Sequence, residues 1–126
     1  MYLYYFFEYF NDNKFKKTYF YLIDNNYNIY GTLVANQIFD YINITDIWLK
    51  KCLRNKYINK YKYSYNFINN CISLIWNIYN IKKICLQCYK NNIKANKLYK
   101  NLKFKNFKGI TSTHYNYYYI VKNDLF

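Results

Sequence analysis

Residues 62–79 set apolar side chains at helical spacing: Phe67, Cys71, Leu74, Ile75 and Ile78 fall on one stripe, while Asn66, Asn69, Asn70, Ser73, Asn77 and Asn80 fall on the other. A β-rich stretch precedes this segment at 44–53 and another follows at 81–89. A helix joining two strands of one sheet needs a parallel crossover, so this unit predicts an α/β fold and excludes an all-helical one. In the first strand alternation groups Ile47, Leu49 and Leu53 against Asp46, Trp48 and Cys52. In the second it groups Ile84, Leu86 and Cys88.

The remaining elements are placed around that unit. Tyr2–Phe10 is an aromatic run read as a short buried helix, with a strand as the alternative, ended by Asn11-Asp12-Asn13. Thr18–Ile23 and Ile29–Val34 flank Asp24-Asn25-Asn26 and read as a hairpin. A helix is expected at 92–102, with Ala95, Leu98, Tyr99 and Leu102 on one face and Asn91 or Asn92 as its cap. Two strands, 104–108 and 115–122, complete the order α-β-β-β-α-β-α-β-β in one domain spanning 1–126.

Composition weakens the meaning of individual residues. The chain holds 20 Tyr and 10 Phe but 2 Gly and no Pro, the bias expected of an AT-rich genome. The formal charge of +13 attracts polyanions, yet the lysines are scattered and form no basic tail, so a phosphate-rich small molecule satisfies the charge as well as nucleic acid does. Cys52, Cys71, Cys85 and Cys88 are expected as free thiols in a reducing, cytoplasmic setting, with no secretory signal and no membrane span. Cys85-Leu-Gln-Cys88 has zinc-like spacing, but on a strand its thiols point to opposite faces, so core thiols are expected and no metal. His114 reads as a surface residue, and Trp48 and Trp76 read as core aromatics.

Residues 81–110 carry a more specific pattern. A strand is followed by Asn92-x-x-Ala95-x-x-Leu98-Tyr99, then Phe104 and Gly109, while Gly31 stands in the strand leaving the first hairpin. This resembles the GNAT superfamily of acetyl-CoA-dependent N-acetyltransferases, in element order over roughly residues 15–122. The resemblance implies a GNAT-like mixed central sheet flanked by helices, with a shortened N-terminal part. It implies acetyl-CoA as co-substrate and a small-molecule or peptide amine as acceptor, with a homodimer as a possible state. The family's R/Q-x-x-G-x-G/A loop corresponds to Ile58-Asn59-Lys60-Tyr61-Lys62-Tyr63-Ser64, where Asn59, Tyr61 and Tyr63 replace glycines. Such a loop cradles pyrophosphate on backbone amides at a helix N-terminus. Lys56, Lys60 and Lys62 offer compensating charge, and Lys103 replaces the glycine before Phe104.

By the same resemblance Tyr99 is the acid that meets the thiolate; the alternative is a tyrosine of the helix's apolar face. Asp46 is the candidate base, against a salt bridge or a water relay. A backbone amide near Cys52 or Leu53 would hold the oxyanion, with Arg54 and the loop from Ile58 to Ser64, Asn92 and Ala95 on the cofactor. Two other readings stay open. One is a degenerate domain in which Tyr61 or Tyr63 fills the pyrophosphate cradle. The other is a basic RNA-binding module using the aromatic and lysine residues of Tyr57–Tyr63. An active enzyme requires a V-shaped gap between the strands at 44–53 and 81–89, with Tyr99 at its mouth.

Overall fold

The computed structural model describes residues 2–9, 16–54, 56–58, 61–109 and 112–122. A seven-stranded sheet runs in the order β1-β2-β3-β4-β7-β9-β8. Its strands are β1 (Tyr2–Tyr9), β2 (Lys16–Ile23), β3 (Ile29–Ile38), β4 (Tyr41–Leu49), β7 (Lys83–Tyr89), β8 (Lys105–Asn106) and β9 (Tyr115–Val121). Between β4 and β7 lie a single 3₁₀ turn (Lys51–Leu53), a two-stranded hairpin of β5 (Tyr57–Ile58) and β6 (Tyr61–Lys62), and α1 (Tyr63–Ile78). The second helix, α2 (Ile93–Asn101), joins β7 to β8. The α/β class and the crossover expected from residues 44–89 are both present: β4 and β7 pair in parallel, and every other pair is antiparallel.

The first element differs from the expected helix. Tyr2–Tyr9 is a strand paired along its whole length with Lys16–Ile23. An unbroken aromatic run has neither helical nor strand periodicity, and aromatics suit a pleated surface; pairing to the edge of β2 decides the outcome. The third strand also shifts, running 41–49 instead of 44–53, and the expected loop at 57–62 contains the small hairpin.

Both helices cover one face of the sheet. The pairs Thr18–Ala35, Ala35–Ile44, Ile44–Leu86 and Leu86–Tyr118 run through one continuous buried row. Over this row α1 buries Phe67, Ile68, Cys71, Ile72, Ile75 and Trp76, and α2 adds Tyr99. Burying a side chain such as Phe67 contributes about 2–3 kcal/mol. Gly31 lets α1 approach closely: a Cβ there would stand 3.1 Å from Leu49 Cδ1 and 3.2 Å from the Phe67 ring. At the other end of α1, the Thr18 and Tyr79 hydroxyls share a hydrogen bond. Trp76 is buried as expected, but Trp48 is 43% exposed, because it pairs with Thr32 on the face the helices leave bare.

Candidate active site

The site begins where β4 and β7 part. They pair only from Tyr41–Lys83 to Ile44–Leu86; beyond that point β4 continues beside β3 to Leu49, and β7 continues beside β9 to Tyr89. Two parallel strands that stop pairing while each keeps its outer partner must splay, which opens a wedge in the sheet. A bulge sits at the branch: Ile44 opposes Ala35 and Asp46 opposes Val34, leaving Thr45 as the extra residue. The Thr45 hydroxyl accepts from Asn36 Nδ2 at 3.0 Å and faces the Val34 carbonyl. The bulge resets alternation, so Ile44 and Ile47 both pack toward the helices although they stand three positions apart.

The wedge contains free backbone donors. The Lys50 amide donates to Tyr30 O at 2.7 Å, toward β3, while Leu49 O accepts from Arg54 Nε at 2.8 Å on the other side. Alternation along a strand therefore turns the amides of Leu49 and Ile47 into the wedge, where β7 no longer accepts them. Sequence reasoning placed this donor near Cys52 or Leu53. Both lie beyond the strand, in the 3₁₀ turn; Cys52 is exposed, and the Leu53 amide already donates to Lys50 O at 2.9 Å. The strand ends four residues earlier than alternation suggested, and the donors move with it.

On the β4 side, the hairpin takes the place of a glycine loop. Tyr57 pairs with Lys62 and Ile58 with Tyr61, and the Tyr63 amide donates to Lys56 O at 2.9 Å. Amides that a glycine loop would leave open are thus engaged with one another. Those of Ser64 and Tyr65, in the first turn of α1, have no intrahelical acceptor, and α1 has neither a side-chain cap nor an acidic residue in that turn. Tyr61 is exposed and stacks on Tyr65 at 4.7 Å, and Tyr63 lines a groove with Tyr2, Leu3 and Leu22, toward β1 and β2. Lys62 lies over the Tyr57 ring, and Lys56 is exposed. Asn59 and Lys60 lie outside the described residues, and Ile58 enters only through its backbone.

On the β7 side, the Asn92 side chain accepts from the Ala95 amide at 3.2 Å, the cap expected from the sequence. The residue the sequence analysis missed is Asn96, which is buried. Its Nδ2 donates to Tyr89 O at 2.9 Å and Asn92 O at 2.7 Å, and its Oδ1 accepts from the Tyr118 hydroxyl at 2.6 Å and Asn116 Nδ2 at 3.0 Å. One side chain thereby ties the β7–α2 turn to β9. The available signal was an asparagine at helical spacing with Asn92 and Tyr99, hidden by the abundance of asparagine.

Tyr99 is buried beside Cys88 and Tyr118, next to the stretch of β7 that has left β4. Burial first, then Cys88 and Tyr118, push its phenol up to about 12. The chain leaves α2 through Lys103, whose φ of 74° is left-handed, with Lys103 N donating to Lys100 O and Phe104 N to Tyr99 O. This is the double hydrogen bond of a Schellman ending, and the Phe104 ring packs edge-on to Tyr99 at 6.1 Å. The spacing of Tyr99 and Phe104 in the sequence is the spacing of that cap.

Asp46 is exposed on the face opposite the helices. Arg54 is held by Leu49 O, and His114 is exposed, its carbonyl accepting from the Lys90 amide at 2.8 Å. All four cysteines are free. Cys88 points into the core and Cys85, paired with Tyr119, lies on the other face; burial pushes both thiols up. Among the described residues, no group of three His, Cys, Asp or Glu could hold a metal, and no helix is long and apolar enough to cross a membrane.

No protein-family model matches the sequence, and no curated protein matches it. Solved structures do match the fold. Spermidine N-acetyltransferase from Vibrio cholerae, in complex with CoA and spermine, is 20% identical with a TM-score of 0.71, over 89% of this chain and 68% of that one. The N-acetyltransferase PseH of Campylobacter jejuni, in complex with acetyl coenzyme A, is 20% identical with a TM-score of 0.67, over 84% of this chain and 68% of that one. The fold is that of the GNAT N-acetyltransferases. At this identity the likeness extends to architecture and not to the choice of substrate.

Proposed function

We propose that the chain transfers an acetyl group from acetyl-CoA to a primary amine by direct attack. The observation that carries this reading is the fork: a wedge between β4 and β7, with inward backbone amides, an uncapped helix N-terminus at one lip and a buried tyrosine at the other. Acetyl-CoA fits that arrangement. The open amides of Ser64 and Tyr65, with Lys56 and Lys62, would take the pyrophosphate. Arg54 and the capped start of α2 at Asn92 and Ala95 would flank the pantetheine arm.

The donor supplies an activated thioester; the new C–N bond forms as the C–S bond breaks, and sulfur leaves with the electron pair. The Ile47 or Leu49 amide is placed to hold the developing oxyanion, a contribution of several kcal/mol in comparable chemistry. Tyr99 keeps its proton. An alkyl thiol ionises near ~8.5, so transfer from a phenol at about 12 would run uphill by roughly 3 units. Tyr99 therefore donates a hydrogen bond to the departing sulfur, and the proton lost by the amine goes to water. The buried, protonated Cys88 is no nucleophile, which favours direct attack over an acyl-cysteine.

Calorimetry with acetyl-CoA at two salt concentrations tests the reading. Saturable micromolar binding that survives added salt, followed by release of free thiol on adding an amine, is the expected result. Binding that vanishes with salt and is matched by ATP or RNA would replace it with general attraction of polyanions to the lysines.

A further inference from the structure

We infer that the acceptor is an amine whose own molecule carries an anionic group, a phosphate or a carboxylate, and not a polyamine. This rests on the acetyltransfer reading and narrows it. The open end of the fork is ringed by exposed cations: Lys50, Lys51, Arg54 and Lys56 follow β4, while Lys90 and Lys94 follow β7 and open α2. No ion pair with a described residue neutralises any of them. The acidic residues do not offset this. Among the described residues Asp46 alone lies beside the wedge. Asp24 stands in the β2–β3 turn with its carboxylate engaged by Asn26 and Asn28, and Asp40 stands at the closed end, beside Lys82. Arg54 and Lys56 face the donor in the arrangement proposed above, so Lys50, Lys51, Lys90 and Lys94, all exposed, are the cations left to face the acceptor.

The field of these cations has two consequences. It repels a polycation and draws in an anion, changing encounter and affinity in opposite directions for the two. It also lowers the pKa of an ammonium placed within it, because like charges disfavour the protonated form. A bound acceptor therefore reaches its nucleophilic neutral form without a dedicated base, in a site where the one nearby carboxylate among the described residues, Asp46, is exposed on the far face. The anionic group keeps the acceptor bound while its amine is deprotonated.

The test compares glucosamine 6-phosphate, L-glutamate, glucosamine and spermidine as acceptors, with binding measured separately by calorimetry. The two anionic amines should exceed glucosamine by about tenfold or more in kcat/KM, and spermidine should fall below it. Raising NaCl to about 0.5 M should compress the series. A Lys90→Glu/Lys94→Glu variant should bring spermidine and the anionic amines together and move the rising limb of the pH profile to higher pH. Spermidine equal to or better than glucosamine overturns the inference, as does an anionic preference unaffected by salt or by the variant. If no amine releases thiol yet glucosamine 6-phosphate still binds about tenfold tighter than glucosamine, the acetyltransfer reading falls and the charge selection stands. The phosphate and carboxylate arms separate the two kinds of anion.

Discussion

The two lips of the fork are built differently. On the β7 side, Asn96 gathers two backbone carbonyls, Asn116 and the Tyr118 hydroxyl into one buried network, and a Schellman ending locks Phe104 against Tyr99. On the β4 side, the strand gives way to a short turn and a small exposed hairpin, bordered by Lys56, Lys62 and Arg54. One lip is positioned by packing and by the hydrogen bonds of one buried side chain; the other offers charge and open amides to whatever arrives. Substitutions on the first should therefore act through the fold, and those on the second through affinity and salt.

The largest effect is expected at Asn96. Asn96→Ala removes the acceptor of the buried Tyr118 hydroxyl and one of the donors to the Tyr89 carbonyl, for a loss of about 2 kcal/mol that denaturant titration would read. Adding Tyr118→Phe should recover part of it, since one orphan is removed; equal stability of the single and double variants would break the network interpretation. Next is Tyr99→Phe. The ring stays packed, so melting should change by only a few degrees, while kcat should fall about tenfold, the value of one hydrogen bond in the transition state. The phenol is raised to about 12, so in the folded state it holds its proton more tightly than at its ordinary value near 10. Its contribution to stability is complete below pH ~10 and lost as pH rises toward ~12; Tyr99→Phe should remove that part of the alkaline unfolding.

On the other lip, Lys56→Ala with Lys62→Ala should weaken acetyl-CoA binding several-fold at low salt and flatten its salt dependence, with the melting temperature unmoved. A loss of stability comparable to that of Asn96→Ala would erase the distinction between the lips. The smallest effect is a gain. Lys103 holds a left-handed conformation at the end of α2, so Lys103→Gly should stabilise the chain by about 0.5–1 kcal/mol without altering transfer.

The element order of residues 16–122 was legible because it rests on local patterns: the stripe of α1, the hairpin around Asp24, the Asn92 cap and the Tyr99–Phe104 spacing. Those patterns follow from backbone periodicity and capping, which act within a few residues. Tyr2–Tyr9 was not legible as a strand, because its conformation depends on a partner some fourteen residues away. Nor was the end of β4, where a bulge at Thr45 and the loss of a neighbour at Ile44 decide which amides are free. Asn96 lay in view as one asparagine among many; its role exists only because α2 brings it against β9.

By itself the sequence determined the α/β class, the parallel crossover, the strongly positive charge and the cap that pairs Tyr99 with Phe104, all properties set by composition or by near neighbours along the chain. Only the tertiary structure decided that β4 and β7 separate, that Ile47 and Leu49 rather than Cys52 and Leu53 present amides to the wedge, and that Tyr61 stacks on Tyr65 while Tyr63 lines the groove beside β1 and β2. Each of those depends on which strand stops accepting hydrogen bonds from its neighbour, and that is fixed by contacts between residues far apart in the chain.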